Sequence, residues 1–207
     1  MINNIYKKYR FLIARRITQI SVMILYVIAN VYGINFLTGN LSSSLLLNTV
    51  PLSDPYAVLQ MAVAGAIISV DILLGAFIIS IFYLIVGGRA FCSWVCPVNM
   101  ITDLANYLRR KFGFNQIQKK QPASRNIRYW VIAISFVISF FMGIAAFELI
   151  SPISMIHRGI IFGLGFGWAT IVIIFLFDLF VLKNGWCGHI CPLGGFYSLV
   201  GRFSLIR

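Results

Sequence analysis

Four long apolar segments dominate the chain and leave few folds open to it. A membrane crossing takes about 20 mostly apolar residues at about 1.5 Å rise each. Residues 17–37 and 129–147 carry no charge, 57–86 carries only Asp71, and 160–182 only Asp178. A continuous helix over 57–86 would be about 45 Å long against a hydrocarbon core of about 30 Å. That segment must therefore tilt, or start with a short interfacial helix before the span proper. Residues 152–182 are of nearly the same length and face the same choice. The first segment exceeds the roughly 7–15 residues of a signal sequence's apolar region. Its flank Thr38-Gly39-Asn40-Leu41 has no A-x-A-like cleavage site, so it reads as a retained helix.

Composition agrees. The chain is 60% hydrophobic and 11% charged, with a mean hydropathy of +0.91, whereas a soluble domain carries about 25% charged residues. Disorder, a soluble nucleic-acid-binding module and an ordinary soluble enzyme are excluded. The net charge of +12 reflects topology. Of 17 basic residues, 16 flank the segments on one side, and only Arg158 falls on the other. The positive-inside rule then puts both termini and the central loop in the cytoplasm of a multi-pass protein of the bacterial inner membrane. Anionic lipid is the natural partner of these basic clusters, and no nucleic acid is expected.

The chain repeats itself. GRAFCSWVCP (88–97) aligns with KNGWCGHICP (183–192), so that Cys92, Cys96 and Pro97 match Cys187, Cys191 and Pro192 at an offset of 95. The Asp54-Pro55 and Ser151-Pro152 turns precede the two long segments at an offset of 97. Each half reads as helix, outer turn, long helix and a cytoplasmic C-x3-C-P motif. The expected fold class is an all-α membrane protein with four transmembrane helices. These form two parallel two-helix repeats about an axis along the membrane normal. Repeat 1 covers about 17–112 (spans 17–37 and 57–86, motif 92–97). Repeat 2 covers about 129–203 (spans 129–147 and 160–182, motif 187–192). After the first motif, Ile101, Leu104, Ala105 and Leu108 recur at helical spacing before Arg109-Arg110-Lys111. This suits either an amphipathic helix on the inner surface or an ordinary loop helix. Residues 193–203 hold three glycines and are poorer helix material, while 115–124, with Pro122, reads as a linker.

All four cysteines sit in the two motifs. Buried structural cysteines act as small hydrophobes and predict no such clustering. Thiolates bind soft metals and iron–sulfur clusters, and the spacing matches the last two cysteines of the bacterial ferredoxin run C-x2-C-x2-C-x3-C-P. Two motifs supply the four thiolates of one [4Fe–4S] cluster. Dithiol chemistry, copper and structural zinc remain open on the same residues.

GRAFCSWVCPVNMITDLANYLRR, SPISMIHRGIIFGLGFGW and NGWCGHICPLGGFY resemble the membrane-bound quinol dehydrogenase subunits of periplasmic nitrate reductase systems, the NapH type. The C-x3-C-P pair is shared more widely with related polyferredoxin membrane proteins, including nitrous-oxide reductase accessory proteins. The resemblance implies electron transfer from membrane quinol towards a periplasmic nitrate reductase through a periplasmic iron–sulfur electron-transfer protein. Cys92, Cys96, Cys187 and Cys191 then stand as the family's motif cysteines. Members of the family usually continue into a ferredoxin-like tail with further cysteine clusters. This sequence stops at Arg207, and a full relay is expected to need that tail or a separate ferredoxin.

His157 and His189, the only histidines, fall on opposite sides of the membrane in this topology. Bis-histidine haem is thereby excluded, and no C-x-x-C-H attachment site exists, so no haem is expected. His189, between Cys187 and Cys191, is a candidate further ligand, although its counterpart is Trp94. Asp71 and Asp178 lie within apolar segments, where ionisable groups mark function by default; Asp178 is also close enough to the segment's end to be interfacial. Asp71, Asp54, Glu148, His157 and Arg158 are candidates for quinol or proton handling, the last four grouped on the outer side. The plain alternative is surface polarity at helix ends. Two other functions fit the same cysteines: a quinone-linked thiol–disulfide oxidoreductase, and a metal-handling assembly factor for a respiratory oxidoreductase. Charge places the cysteines inside, where thiols stay reduced, which disfavours the first.

Overall fold

Helix α1 (Ile2–Tyr32) carries the first apolar segment. Its stretch Arg10–Asn30 is, among the described residues, the one helix long and apolar enough to cross a membrane unbroken. The computed structural model describes residues 2–32, 37–39, 42–47, 49–113, 126–162 and 167–204. The linker 115–124 and the side chains of His157 and Arg158 lie outside the described residues.

The second apolar segment is two helices. α2 (Pro55–Val63) is capped by Asp54, whose side chain accepts the Tyr56 N–H, and has proline in its first turn. Proline fits there because its φ is preset and the N–H it lacks would have no partner. The helix stops at Ala64, Gly65 turns the chain at φ 74°, and α3 (Val70–Val86) begins after Ser69. The second half has the same order. α5 (Ile127–Met142) leads through a short α6 (Ala146–Ile150) to α7 (Pro152–Phe162), then to α8 (Gly167–Leu176). α2 and α7 are thus separate helices of 9 and 11 residues ahead of α3 and α8, which accounts for the excess length of both segments.

The fold is mostly helical rather than all-α. β1 (Leu37–Gly39), β2 (Ser43–Leu46) and β3 (Val50–Ser53) form an antiparallel sheet, with Thr38 opposite Leu45 and Ser44 opposite Leu52. Strands of three or four residues are too short to show alternation in the sequence. β3 runs against α3 at Gly75, where a Cβ would lie 2.8 Å from the Pro51 carbonyl oxygen. Only glycine allows strand and helix to meet so closely.

Each cysteine motif forms one π-helical turn, Phe91–Val95 and Trp186–Ile190. The Cys96 N–H closes the first on the Phe91 carbonyl at 3.0 Å, and the Cys191 N–H closes the second on Trp186 at 2.9 Å. α4 (Val98–Lys111) and α9 (Pro192–Val200) follow directly. α9 forms despite its glycines because Cys191 caps it and Pro192 starts it. At Gly195 a Cβ would sit 2.7 Å from Ile132, so the bare backbone lets α9 approach α5.

The surface is inside-out by the standards of a water-soluble protein. The buried residues of α5 are Ser135 and Ser139, while Trp130, Phe140 and Phe141 on the same helix are exposed. Phe77 on α3 and Ile173 on α8 also face outward, whereas Gln19, Gln60, Arg109 and Asp178 are fully buried. Contiguous apolar surface on this scale is foreign to a monomer in water and suits contact with lipid. The same inversion shows in α4. Its inner face is Val98, Thr102, Ala105, Asn106 and Arg109, and Leu104 of the apolar stripe is exposed. The stripe is thus divided: Ala105 is buried with Val98 and the polar residues, and Leu104 faces out.

Candidate metal centre

Cys92, Cys96, Cys187 and Cys191 line a single cavity, although the two pairs lie 95 residues apart in the chain. All four are free thiols. Phe91, Phe147, Ile153 and Leu193 supply apolar walls, and the first residues of α4, α7 and α9 complete the lining. The Gly194 N–H donates to the Cys191 sulfur at 3.4 Å, and the Cys96 sulfur accepts from the N–H groups of Val98 and Asn99. First-turn N–H groups have no partner inside their helix and carry the positive end of its dipole. They favour anionic sulfur. Burial opposes it, pushing the Cys191 thiol up to about 11 and the Cys96 thiol up to about 12. Burial also raises Cys92 and Cys187. Any metal taking these four as thiolates must displace their protons, which couples binding to pH.

Each motif has its own bracing. In the first, Gln19 on α1 donates its amide to the carbonyls of Ser93 and Cys96 at 3.1 and 3.2 Å, and Asn99 donates to the Cys92 carbonyl at 2.8 Å. Arg16 holds Gln19 at 2.8 Å, Arg15 holds Asn99 at 3.2 Å, and both arginines pair with Asp103. In the second, the Asp178 carboxylate accepts the Trp186 N–H at 3.0 Å, and Arg109 donates to the Asp178 carbonyl at 3.2 Å. Asn106 donates to Asn184 alongside. The helix that leaves motif one therefore clamps motif two.

A polar cavity adjoins the cysteines. Asp54, Tyr56, Gln60, Glu148 and Ser151 line it, and it shares Phe91, Phe147, Ile153 and Leu193 with the cysteine cavity. Asp54 accepts from the Tyr197 hydroxyl at 3.2 Å. Burial pushes its carboxyl up to about 7, with the Tyr56 and Tyr197 donors pulling it down and the negative charge of Glu148 adding to the rise. Gln60 is fully buried and neither of its amide atoms has a hydrogen-bond partner.

These positions revise the expected grouping. Asp54-Pro55 and Ser151-Pro152 are not turns on the far side from the cysteines. β3 folds back along α3 and delivers Asp54 to Tyr197 of α9, and α6 brings Glu148 and Ser151 to the same place. Asp71 is not deep in a span. It sits exposed in the first turn of α3, where the helix dipole favours a carboxylate. Asp178 is fully buried beside motif two, its carboxylate turned to the Trp186 N–H. His189 is on the second π turn but is not among the residues lining the cysteine cavity. Sequence reasoning passed over Gln19, Gln60, Asn99, Arg109 and Tyr197. Gln19 and Gln60 carried a usable signal, since uncharged polar residues inside apolar segments also need a partner or a task.

The donor set fits an iron–sulfur cluster better than one ion. A zinc holds thiolates at about 2.3 Å, which crowds the sulfurs around a point. Among the described residues, no three His, Cys, Asp or Glu groups converge to hold a single metal ion, yet four thiols surround one apolar cavity.

Comparison with known proteins agrees with this geometry. The family described as "4Fe-4S binding domain" matches residues 68–115 and again 164–207, one match for each motif. The methylamine utilization ferredoxin-type protein MauN of Methylorubrum extorquens is 46% identical over 193 residues, covering 93% of this chain and 66% of its own. MauN of Paracoccus denitrificans is 43% identical over 96% of this chain and 69% of its own. The ferredoxin-type protein NapH of Escherichia coli is 43% identical over 97% of this chain and 69% of its own. The chain belongs to the NapH/MauN ferredoxin-type family. It is a 4Fe–4S-binding, ferredoxin-type electron-transfer protein. Its likeness to MauN is as great as its likeness to NapH, so the nitrate branch is not singled out. The chain spans about two thirds of the length of these relatives. No solved structure matches it.

Proposed function

We propose that the chain is a membrane electron-transfer subunit that takes electrons from quinol and passes them towards a periplasmic oxidoreductase. Cys92, Cys96, Cys187 and Cys191 hold one [4Fe–4S] cluster between the two repeats. The observation that carries this is the single cavity that both C-x3-C-P motifs line. Helices α1, α3, α5 and α8 are the four crossings, α8 being continued by the π-helical turn Phe177–Val181, with both termini and the motifs on the cytoplasmic side, and the shorter α2 and α7 are packed among them. The 17 residues of α3 and the outward Phe77, Phe140 and Ile173 support that reading.

A bound cluster supplies one-electron transfer. The protein's own residues do the rest. First-turn N–H groups of α4 and α9 hydrogen-bond the ligand sulfurs, which favours the more reduced state. Phe91, Phe147, Ile153 and Leu193 keep water from the sulfurs. Asp54 and Glu148 offer carboxyls to the protons that quinol oxidation releases, one apolar layer away from the thiols.

The partner follows the genetic system in which the chain works. It is a periplasmic nitrate reductase, reached through a periplasmic iron–sulfur protein, if the NapH likeness governs. It is a methylamine-oxidising system if the MauN likeness does. Deleting the chain distinguishes them: quinol-dependent nitrate reduction slows while artificial donors still drive the reductase, or methylamine-dependent respiration fails instead. Asp54 must be ionised to accept a proton. Quinol oxidation by the purified protein should therefore rise as pH passes about 7, and Asp54→Asn should remove that rise. An unchanged pH profile in the variant would remove Asp54 from proton handling.

A further inference from the structure

A second cleft lies away from the cysteines, where α3 ends, α5 begins and α9 ends. It encloses about 490 Å³ and is lined by Arg89, Arg128, Arg202, Tyr129, Ser198 and the backbone of Gly87, Gly88 and Gly201. Three arginines thus line it, with no acidic side chain in the lining among the described residues. The chain's five acids are placed elsewhere: Asp54 at Tyr197, Asp71 at the head of α3, Asp103 with Arg15 and Arg16, Glu148 in the polar cavity and Asp178 at Trp186.

Arg128 and Arg202 are held, not splayed. Arg128 and Arg202 both donate to the Tyr129 hydroxyl, at 3.2 and 3.5 Å, and both lie over its ring. The Arg128 Nε is shielded and has no hydrogen-bond partner. Keeping like charges this close costs free energy that a phenol cannot offset, whereas an anion can. The floor is bare. A Cβ on Gly88 would sit 2.0 Å from the Tyr197 carbonyl oxygen and 2.5 Å from the Gly201 nitrogen, so two backbones touch there and leave the space above them open. Guanidinium groups, a phenol and a serine hydroxyl over a glycine floor make a donor set for tetrahedral oxyanions. The rim is apolar. Trp130, Ile127 and Val86, beside the lining residues in sequence, are exposed.

We propose that this cleft binds a phosphate group, supplied by the headgroup of an anionic phospholipid whose acyl chains lie along the apolar rim of α3 and α5. Free phosphate presents the same chemistry to the arginines without the chains. A basic pocket between helices, bordered by apolar surface and an exposed tryptophan, matches a lipid headgroup in both halves of its chemistry.

Native mass spectrometry of the full chain in neutral detergent tests the assignment. Phosphatidylglycerol, phosphatidylcholine with the same acyl chains, and inorganic phosphate are titrated separately. Phosphatidylglycerol should saturate at one tightly held molecule per chain and outcompete phosphatidylcholine. Arg128→Gln or Arg202→Gln should weaken it about fivefold, and the double variant about thirtyfold. Arg110→Gln, outside the cleft, should leave it unchanged. Arg202 is exposed, so its single variant keeps the test valid if the double variant does not fold. Saturable inorganic phosphate binding that Arg202→Gln weakens, with no preference for phosphatidylglycerol, would uphold the phosphate site and assign it to the free ion. Binding indifferent to Arg202→Gln, or equal for both lipids with none of phosphate, would overturn the proposal.

Discussion

The two halves of the molecule solve one problem with different supports. Each presents two cysteines from a π turn closed by the second cysteine's own N–H, and each runs straight into a helix. Around those turns the likeness ends. Motif one is braced by α1, through Gln19 and the Arg15, Arg16 and Asp103 group. Motif two is braced by α4, the helix that motif one itself launches, through Arg109 and Asn106. The first half also carries a three-stranded sheet where the second has only the short α6. The repeat is kept where thiol placement demands it and relaxed elsewhere. It also implies an order of dependence, because motif two leans on motif one while α1 steadies motif one.

That asymmetry can be broken at a glycine first. Gly88→Ala would drive a Cβ into the Tyr197 carbonyl and the Gly201 backbone, neither of which can yield. We expect a loss of about 3 kcal/mol or more, read as a lowered unfolding temperature in detergent. In the other half, a Cβ on Gly188 would meet only the Asn184 Cβ at 3.9 Å. Gly188→Ala should change stability by less than about 0.5 kcal/mol. Equal effects would mean that the close contact of α9 with the start of motif one does not hold the halves together.

A second comparison is between neighbours. Arg109 is buried against Asp178 while Arg110 is exposed, though both belong to one basic run. Arg109→Met should cost about 2 kcal/mol, because it strips a donor from a buried carbonyl and a positive charge from beside a buried acid. Arg110→Met should cost almost nothing. If α4 clamps motif two, the Arg109 variant should also perturb the electron paramagnetic resonance spectrum of the reduced cluster, which a remote loss of stability would leave unchanged.

A smaller effect is expected at Gln19. Gln19→Leu leaves the Ser93 and Cys96 carbonyls without their amide donor, at about 1 kcal/mol. Its mark should be a shifted reduction potential with full iron content, since the thiols are untouched. Iron loss equal to that of a cysteine variant would make Gln19 a structural prop instead.

How far the sequence carried the reading follows from the same contrast. The cysteines, their offset of 95 and the excess length of two apolar segments were all visible, because each is a matter of spacing. The return of Asp54 and Ser151 to the cysteines was not, since it depends on β3 crossing Gly75 and on α6, which are tertiary events of short elements. Which face of α4 is buried was not legible either, for a different reason. Apolar periodicity marks the core only when the outside is water; where the outside is apolar, Leu104 faces out and Thr102, Asn106 and Arg109 face in.

Iron and acid-labile sulfide in anaerobically purified protein test the shared centre most directly. One cluster predicts about four of each per chain. Cys92→Ser and Cys191→Ser should each remove nearly all of both, and the double variant should be no worse than either, because residues of one site are not additive. Loss of half the iron on changing one motif, with the other half lost on changing the second, would contradict a single cluster and leave two separate sites.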